Sequence, residues 1–454
     1  MQPERKSREL RTARVSRRPP RFAATVMALG IIFAVAYVFV LRTPPPVPTP
    51  EIQGMKGTYT WQAQAHGATG VPRETGFFSA VASGDAGGQM TMENTAPRAG
   101  TFGKAQSAYD VEGRSETTVE SASTAVGARD AQTHNVGTWP PVWRVATRSP
   151  LDYQGLAAIV RAAVEDRDRS IGIKPIKESD RKVWRAAMKL DGKDVELVVD
   201  QLTGIVVWYT DGRSTFTATV DWSSPPPADE TYVVKVPAGR KVTTKTDETF
   251  SYERSPAAAG LAAGYAPLVS DLAPDGFALK AVATADTMGA PGGWLVHDGA
   301  SMPVDPLAGQ RQVAQLYTRG LSWFTVQQLG PRAAGKAVAY LTDTLRSIAA
   351  DKLSFETTTL QYGALTGATA CTWYETTGPT LFVSDPRHIV YITGALTRQD
   401  LISFAEGLKP GSQSSTGSNS SLSTPHSGQT QSSGRSSNAV PGSMPLSGSP
   451  TSGS

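Results

Sequence analysis

The sequence predicts an α+β protein, with an antiparallel sheet packed on helices, a smaller α+β domain after it, and one N-terminal transmembrane helix. Three observations carry that reading. The run "FAATVMALGIIFAVAYVFVL" at residues 22–41 has no charge; residues 183–222 alternate apolar and polar side chains; and amphipathic helical stretches sit beside strand patterns near residues 150–166 and 397–410. A chain of 454 residues with 39% hydrophobic content is long enough for more than one core.

Residues 1–21 form a basic segment with Arg5, Lys6, Arg8, Arg11, Arg14, Arg17, Arg18 and Arg21. Much of the formal net charge of +4 sits there, so the remainder is close to neutral and nucleic acid is not an implied partner. At 1.5 Å rise per residue, residues 22–41 match a hydrocarbon core of roughly 30 Å. The basic excess before the span predicts a single-pass anchor in the cell membrane, N-terminus cytoplasmic and the rest extracytoplasmic. A cleaved signal is the competing reading, but its apolar region is usually about 7–15 residues and ends in a small-residue site. Here "LRTPPPVPTP" follows instead.

Residues 42–54 read as a proline-rich spacer, which favours extended backbone. Residues 55–239 make the first domain. Runs such as "GTYTWQAQA" and "GQMTMEN" predict strands within 55–136, although 66–137 is also rich enough in Thr, Ala and Gly for long loops. "SPLDYQGLAAIVRAAVEDRD" predicts a helix with Ser149 as N-cap, Pro150 at the first position, and Leu156, Ile159, Val160, Ala163 and Val164 on one apolar stripe. "KVWRAAMKL", "DVELVVD", "IVVWYT" and "STFTATVDW" then alternate as a meander with a dry and a wet face, turning at "DQLTG" and "DGRS".

A linker is expected at 240–264, then the smaller domain at 265–410. That domain shows strand pairs in "QLYTRGLSWFTVQQLG", "TLQYGALTGATACTWYE" and "PTLFVSDPRHIVYITG", and a helical pattern at 332–350. A last helix, "TRQDLISFAEGLKP", has Thr397 as N-cap, Asp400 three residues on and Pro410 as its stop. Residues 411–454 are Ser, Gly, Thr and Pro with little apolar content, which predicts a disordered tail.

The chemistry-bearing residue types are sparse. No G-x-S-x-G elbow occurs in the domains, and "SDRK" at 179–182 lacks the S-D-N and K-T-G companions of penicillin-recognising enzymes. His66, His134, His297, His388 and His426 stand singly, so no metal is expected; Cys371, the one cysteine, reads as a buried thiol. "EDRDRS" at 165–170 groups Glu165, Asp166 and Asp168, but the interleaved Arg167 and Arg169 describe a solvated helix end. "GAPGGW" at 289–294 lacks the lysine and following helix of a phosphate loop. The expectation is a protein that is not an enzyme and carries no cofactor. What stands out is apolar: Trp184, Leu197, Tyr209, Phe216 and Trp222 are either plain core or the wall of a lipid pocket, where each buried CH₂ would contribute about 0.8 kcal/mol.

With these motifs quoted, the chain resembles the MucB/RseB-type regulators of sigma-factor signalling. "VDQLTGIVVWYTDG" is similar to the turn segment of LolA-like lipoprotein carriers, while "LAPDGF", "LYTRGLSWFTV" and "YITGALTRQDLISFAEGLKP" are similar to stretches of the regulators' C-terminal domain. The resemblance implies a curved LolA-like half-barrel with a hydrophobic concavity that binds acyl chains. It also implies a membrane-bound anti-sigma factor as partner. The uncleaved anchor and the tail depart from that family, and the cytoplasmic segment is too short to hold a sigma factor. A lipid or lipoprotein carrier and an envelope hydrolase are the alternative functions.

Overall fold

In a computed structural model, the structure describes residues 52–63, 73–83, 87–95, 102–109, 115–121, 132–136, 150–178, 180–222, 242–246, 250–270, 273–286, 311–331 and 352–411. The expected span at 22–41, the spacer as far as residue 51, the helical pattern at 332–350 and the tail from 412 lie outside them, whereas the spacer's last residues, 52–54, run into the first sheet, with Ile52 buried and Gly54 opening its first strand. Among the described residues no helix is long and apolar enough to cross a membrane.

Among the described residues the first sheet has twelve strands. In chain order they are β1 (Gly54–Ala63), β2 (Arg73–Ser83), β3 (Gly87–Asn94), β4 (Phe102–Tyr109), β5 (Ser115–Ser121), β6 (Gln132–Val136), β7 (Gly172–Glu178), β8 (Arg181–Leu190), β9 (Lys193–Asp200), β10 (Val206–Thr210), β11 (Ser214–Trp222) and β12 (Val242–Thr246). Two meanders, β1 to β6 and β7 to β11, are joined where β1 pairs antiparallel with β11. Only β12 is parallel to its neighbour, β6.

The second sheet runs β13 (Phe250–Glu253), β15 (Ala278–Asp286), β16 (Arg311–Arg319), β17 (Ser322–Leu329), β21 (Ile389–Gly394), β20 (Gly378–Ser384), β19 (Thr369–Glu375) and β18 (Leu353–Thr359). A two-stranded ribbon pairs β14 (Leu268–Ser270) with β22 (Leu408–Pro410). The segment expected to be a linker, 240–264, contributes β12 to the first sheet and β13 to the second, then forms a helix at Pro256–Ala263.

The turns follow from their residues. In "DQLTG" the Asp200 carboxylate accepts hydrogen bonds from Leu202 N at 2.9 Å, Thr203 N at 3.0 Å and Thr203 Oγ1 at 3.0 Å. In "DGRS" Asp211 does the same for Arg213 N at 2.9 Å and Ser214 N at 2.7 Å, and Gly212 takes a φ of 74°. The backbone donors hold the Asp211 carboxyl below its ordinary value even though burial alone would raise it.

Helix α1 (Gln154–Asp166) departs from expectation at its start. Pro150 opens a 3₁₀ turn, Pro150–Tyr153, and the α-helix begins only after it, with Tyr153 at the cap and no side-chain cap bond. Its burial is also wider than one stripe: Ala157, Ala158, Arg161 and Ala162 are buried along with Leu156, Ile159 and Val160. The helix therefore has two partners. Leu156, Ile159, Val160 and Ala163 pack on Trp184, Met188, Leu197 and Val199 of the first sheet. Toward the second sheet, Gly155 lies so close to the β19–β20 turn that a Cβ there would sit 2.3 Å from the Thr377 carbonyl carbon, and Arg161 donates to Ala395 O at 3.3 Å.

Helix α2 (Pro256–Ala263) is capped by Ser255. Helix α3 (Arg398–Glu406) has the capping box that "TRQD" predicts, with Asp400 N bonded to Thr397 Oγ1 at 3.1 Å and Thr397 N to Asp400 Oδ2 at 3.3 Å. It packs through Leu401, Phe404 and Ala405 on Tyr317, Phe324 and Leu381. On the opposite face of the same strands, Ala281, Ala283, Ala285, Ala314 and Leu316 meet Tyr59, Phe78, Met90 and Phe216 of the first sheet. Alternation along β15 and β16 makes this possible, since successive side chains point to opposite faces. One core is thus shared between the two sheets.

Candidate functional site

The five apolar residues singled out from sequence do not form one cluster. Tyr209 pairs with Phe216 across β10–β11 and with Leu197 across β10–β9, so these three share one row on the dry face. Trp61 of β1 pairs with Phe216 from the other side and extends the row. Trp184 pairs with Val199, one step along the strands, under helix α1. Trp222 pairs with Met55 near the start of β1, away from the row; its side chain lies outside the described residues.

Burial divides the row. Leu197 and Phe216 are completely enclosed at 0% exposure, whereas Trp61 and Tyr209 are half-buried. The ring that closes over them is Tyr153, whose centroid lies 4.6 Å from Tyr209 and 4.8 Å from Phe216, both tilted. Leu151 of the same 3₁₀ turn is buried in this core. Burial and, secondarily, the Asp211 carboxylate push the Tyr209 hydroxyl up to about 12, so it stays neutral at physiological pH. On the wet face the pattern is polar: Arg185 pairs with Glu196 at 3.4 Å and lies over Trp208 at 5.7 Å.

The roof is fixed at both ends to the second half of the chain. At the N-terminal end Gln154 Nε2 donates to Leu321 O at 2.7 Å, and Leu321 N donates to Ile52 O at 2.7 Å, tying the β16–β17 turn to the first sheet. Beyond the C-terminal end, Asp168 accepts from the Ser354 hydroxyl and from Ser170 N at 2.8 Å and faces Arg398 at 3.8 Å. Arg398 also bonds Ser354 O at 2.9 Å, pairs with Glu356 at 2.7 Å and lies 5.0 Å over the Tyr374 ring.

"EDRDRS" is therefore not simply a solvated helix end. The Asp168 and Arg398 side chains are only 10% and 8% exposed, while Arg167 and Arg169 remain exposed. Burial would raise Asp168, but the Ser354 and Ser170 donors and Arg398 outweigh it and hold its carboxyl below the ordinary range. Asp166 moves the other way, raised by burial against the pull of Arg398.

The remaining candidates are dispersed. Among the described residues no group of His, Cys, Asp and Glu is placed to hold a metal. Cys371 is buried in β19. "SDRK" forms the β7–β8 turn and start of β8, with Ser179 outside the described residues, as are "GAPGGW", His66, His297 and His426. Two surface cavities, of about 610 Å³ beside Arg181 and Leu202 and about 640 Å³ beside Leu261 and Tyr265, lie apart from the aromatic row.

No family model and no curated protein matches the chain. Among solved structures it is similar to MucB in complex with MucA(peri), at 12% identity over 80% of this chain and 94% of that one, TM-score 0.23. It is also similar to a LolA superfamily protein from Nitrosomonas europaea, at 9% identity over 40% of this chain and 90% of that one, TM-score 0.16. A putative outer membrane lipoprotein-sorting protein domain from Vibrio parahaemolyticus is a third, at 9% identity over 39% and 88%, TM-score 0.16.

Proposed function

We propose that this chain is a non-enzymatic, membrane-anchored extracytoplasmic binding and regulatory protein whose ligand is an acyl chain taken up along the row Trp61–Phe216–Tyr209. The observation that supports it most is the way that row is closed: Tyr153 of a 3₁₀ turn lies against both Tyr209 and Phe216, and both outer members of the row, Trp61 and Tyr209, stay half-buried. Displacement of Tyr153 would uncover Tyr209 and Phe216 on the side that its ring occupies. Each methylene buried in its place contributes about 0.8 kcal/mol, so a tail needs few polar contacts to hold it. Because Tyr153 leads directly into helix α1, occupancy would be felt where that helix meets the second sheet. A membrane-bound protein is the partner that fits an anchored receptor, and MucB, to which the chain is similar, is solved with MucA(peri).

The test is photolabelling of the full-length chain in its membrane with a diazirine fatty acid, followed by peptide mapping. Labels should fall on Trp61, Tyr209, Phe216 and residues 150–153, and Tyr209→Ala should reduce them several-fold. Labelling confined to residues 22–41, or absent from the row, sinks the proposal.

A further inference from the structure

Among the described residues the two sheets present four outer edges, and three carry features that discourage pairing with another strand. β7 has Lys174, Pro175 and Lys177; β12 has five residues including Lys245; β13 has only four residues. The fourth, β18, ends in Glu356–Thr359, all exposed, with neither proline nor lysine. Its one irregularity lies at the other end, where the register shifts between Leu353 and Glu356 and Ser354 takes a φ of 58°. Beyond that bulge the strand is regular, with Glu356 through Thr359 pairing in step with Thr372 through Thr369.

The direction of its free backbone groups is fixed. Leu360 N donates to Ala368 O at 3.0 Å and Leu360 O accepts from Gly367 N at 2.9 Å, so the Leu360 backbone faces β19. By antiparallel alternation that of Thr358 does too, whereas Thr357 and Thr359 direct their N–H and C=O outward. The Thr359 carbonyl agrees with this: it accepts from the chain's own Gln361 side chain, at 2.8 Å. Two outward-facing residues placed symmetrically about a third form a self-complementary edge.

We infer that β18 is a homodimer interface, in which two copies pair antiparallel about a two-fold axis at Thr358. Thr357 of each copy then exchanges backbone hydrogen bonds with Thr359 of the other, and the two Thr358 residues stand opposite in the non-hydrogen-bonded site. Every central cross-strand pair is Thr on Thr, a favoured combination, and no like charges face each other. The two Glu356 residues are four positions out of register, about 14 Å apart at about 3.4 Å per residue, and each remains next to its own Arg398.

The register gives the experiment. Opposed residues in the non-hydrogen-bonded site have Cα atoms about 4.5 Å apart, within the span a disulfide bridges, whereas about 14 Å is beyond it. Full-length Thr358→Cys, treated with a mild oxidant in its own membrane, should run as a covalent dimer on a non-reducing gel. Wild type, whose Cys371 is buried, and Glu356→Cys should not. Adding Thr357→Lys and Thr359→Lys to Thr358→Cys should cut the dimer at least ten-fold; both positions are exposed, so the melting temperature should hold. Failure of Thr358→Cys to cross-link in a chain that melts like wild type overturns the proposal. So does equal cross-linking by Glu356→Cys, or a dimer indifferent to the lysines.

Discussion

The dry face of the first sheet contains two patches built in opposite ways. Over β8, β9 and β10, bulky side chains such as Trp184, Met188, Leu190 and Leu197 lie under helix α1, and the patch is sealed. Over β1, β2, β3 and β11, the cover combines alanines of the second sheet with larger side chains such as Leu316 and Phe250 and with one 3₁₀ turn, and the adjoining Trp61 and Tyr209 are left half-buried. Large side chains facing a helix lock into one another; small side chains facing a sheet let two layers approach while contributing little hold of their own. The first arrangement makes a core. The second is where the proposed acyl chain would enter.

Substitution of the residue at the centre of the second patch gives the largest expected effect. Phe216 is wholly buried, lies in tilted contact with Tyr153 and pairs with both Trp61 and Tyr209. Phe216→Ala should cost about 3–5 kcal/mol in urea denaturation, the usual range for a deleted core phenylalanine. A loss below about 1 kcal/mol would show the second patch already loose around this ring, and would remove the contrast between the patches.

A smaller effect, with a telling sign, is expected at Gly155. Replacing a glycine inside a helix by alanine ordinarily stabilises by roughly 0.5–1 kcal/mol. Here the added Cβ would lie 2.3 Å from Thr377 C and 2.5 Å from Thr376 O, both backbone atoms. Gly155→Ala should therefore destabilise by about 1–3 kcal/mol, the range for overpacking. A higher melting temperature would mean that helix α1 is not pressed on the β19–β20 turn, leaving the polar contacts of Gln154, Arg161 and Asp168 as its ties to the second half of the chain.

Much of this was legible in the sequence because local periodicity encodes it. Trp184, Ala186, Met188 and Leu190 are buried while Arg185 and Lys189 are exposed, as alternation requires; Asp200, Asp211 and the Thr397–Asp400 box form the turns and cap their spacing predicts. What depends on distant segments was not. Trp61 joins Phe216 only through the pairing of β1 with β11, and nothing in "GTYTWQAQA" announces that partner. Ala157, Ala158 and Ala162 read as neutral filler, which hid the second buried face of helix α1. Ala281, Ala283 and Ala285 likewise signal weak hydrophobicity, although their smallness is what lets the sheets share a core. "EDRDRS" looked solvated because its partner, Arg398, lies in the last helix.

That distant pairing also sets the subtlest expected effect, a pH dependence located where the sealed end of the roof meets the second sheet. Asp168 has its carboxyl held below the ordinary aspartate value near 3.9, by Ser354, Ser170 and Arg398 against burial. A depressed folded-state pKa stabilises the fold fully above the unfolded value, and the contribution disappears as pH falls through the depressed one. Between pH 5 and pH 3, wild type should therefore lose more urea stability than Asp168→Asn, with the difference closing at the acid end. Asp211, also depressed, is present in both chains and cancels in the comparison. Parallel curves would mean that the Asp168 contact is not formed in solution and that helix α1 is free at its C-terminal end. The two patches would then differ in side-chain size alone, rather than in how firmly each is closed.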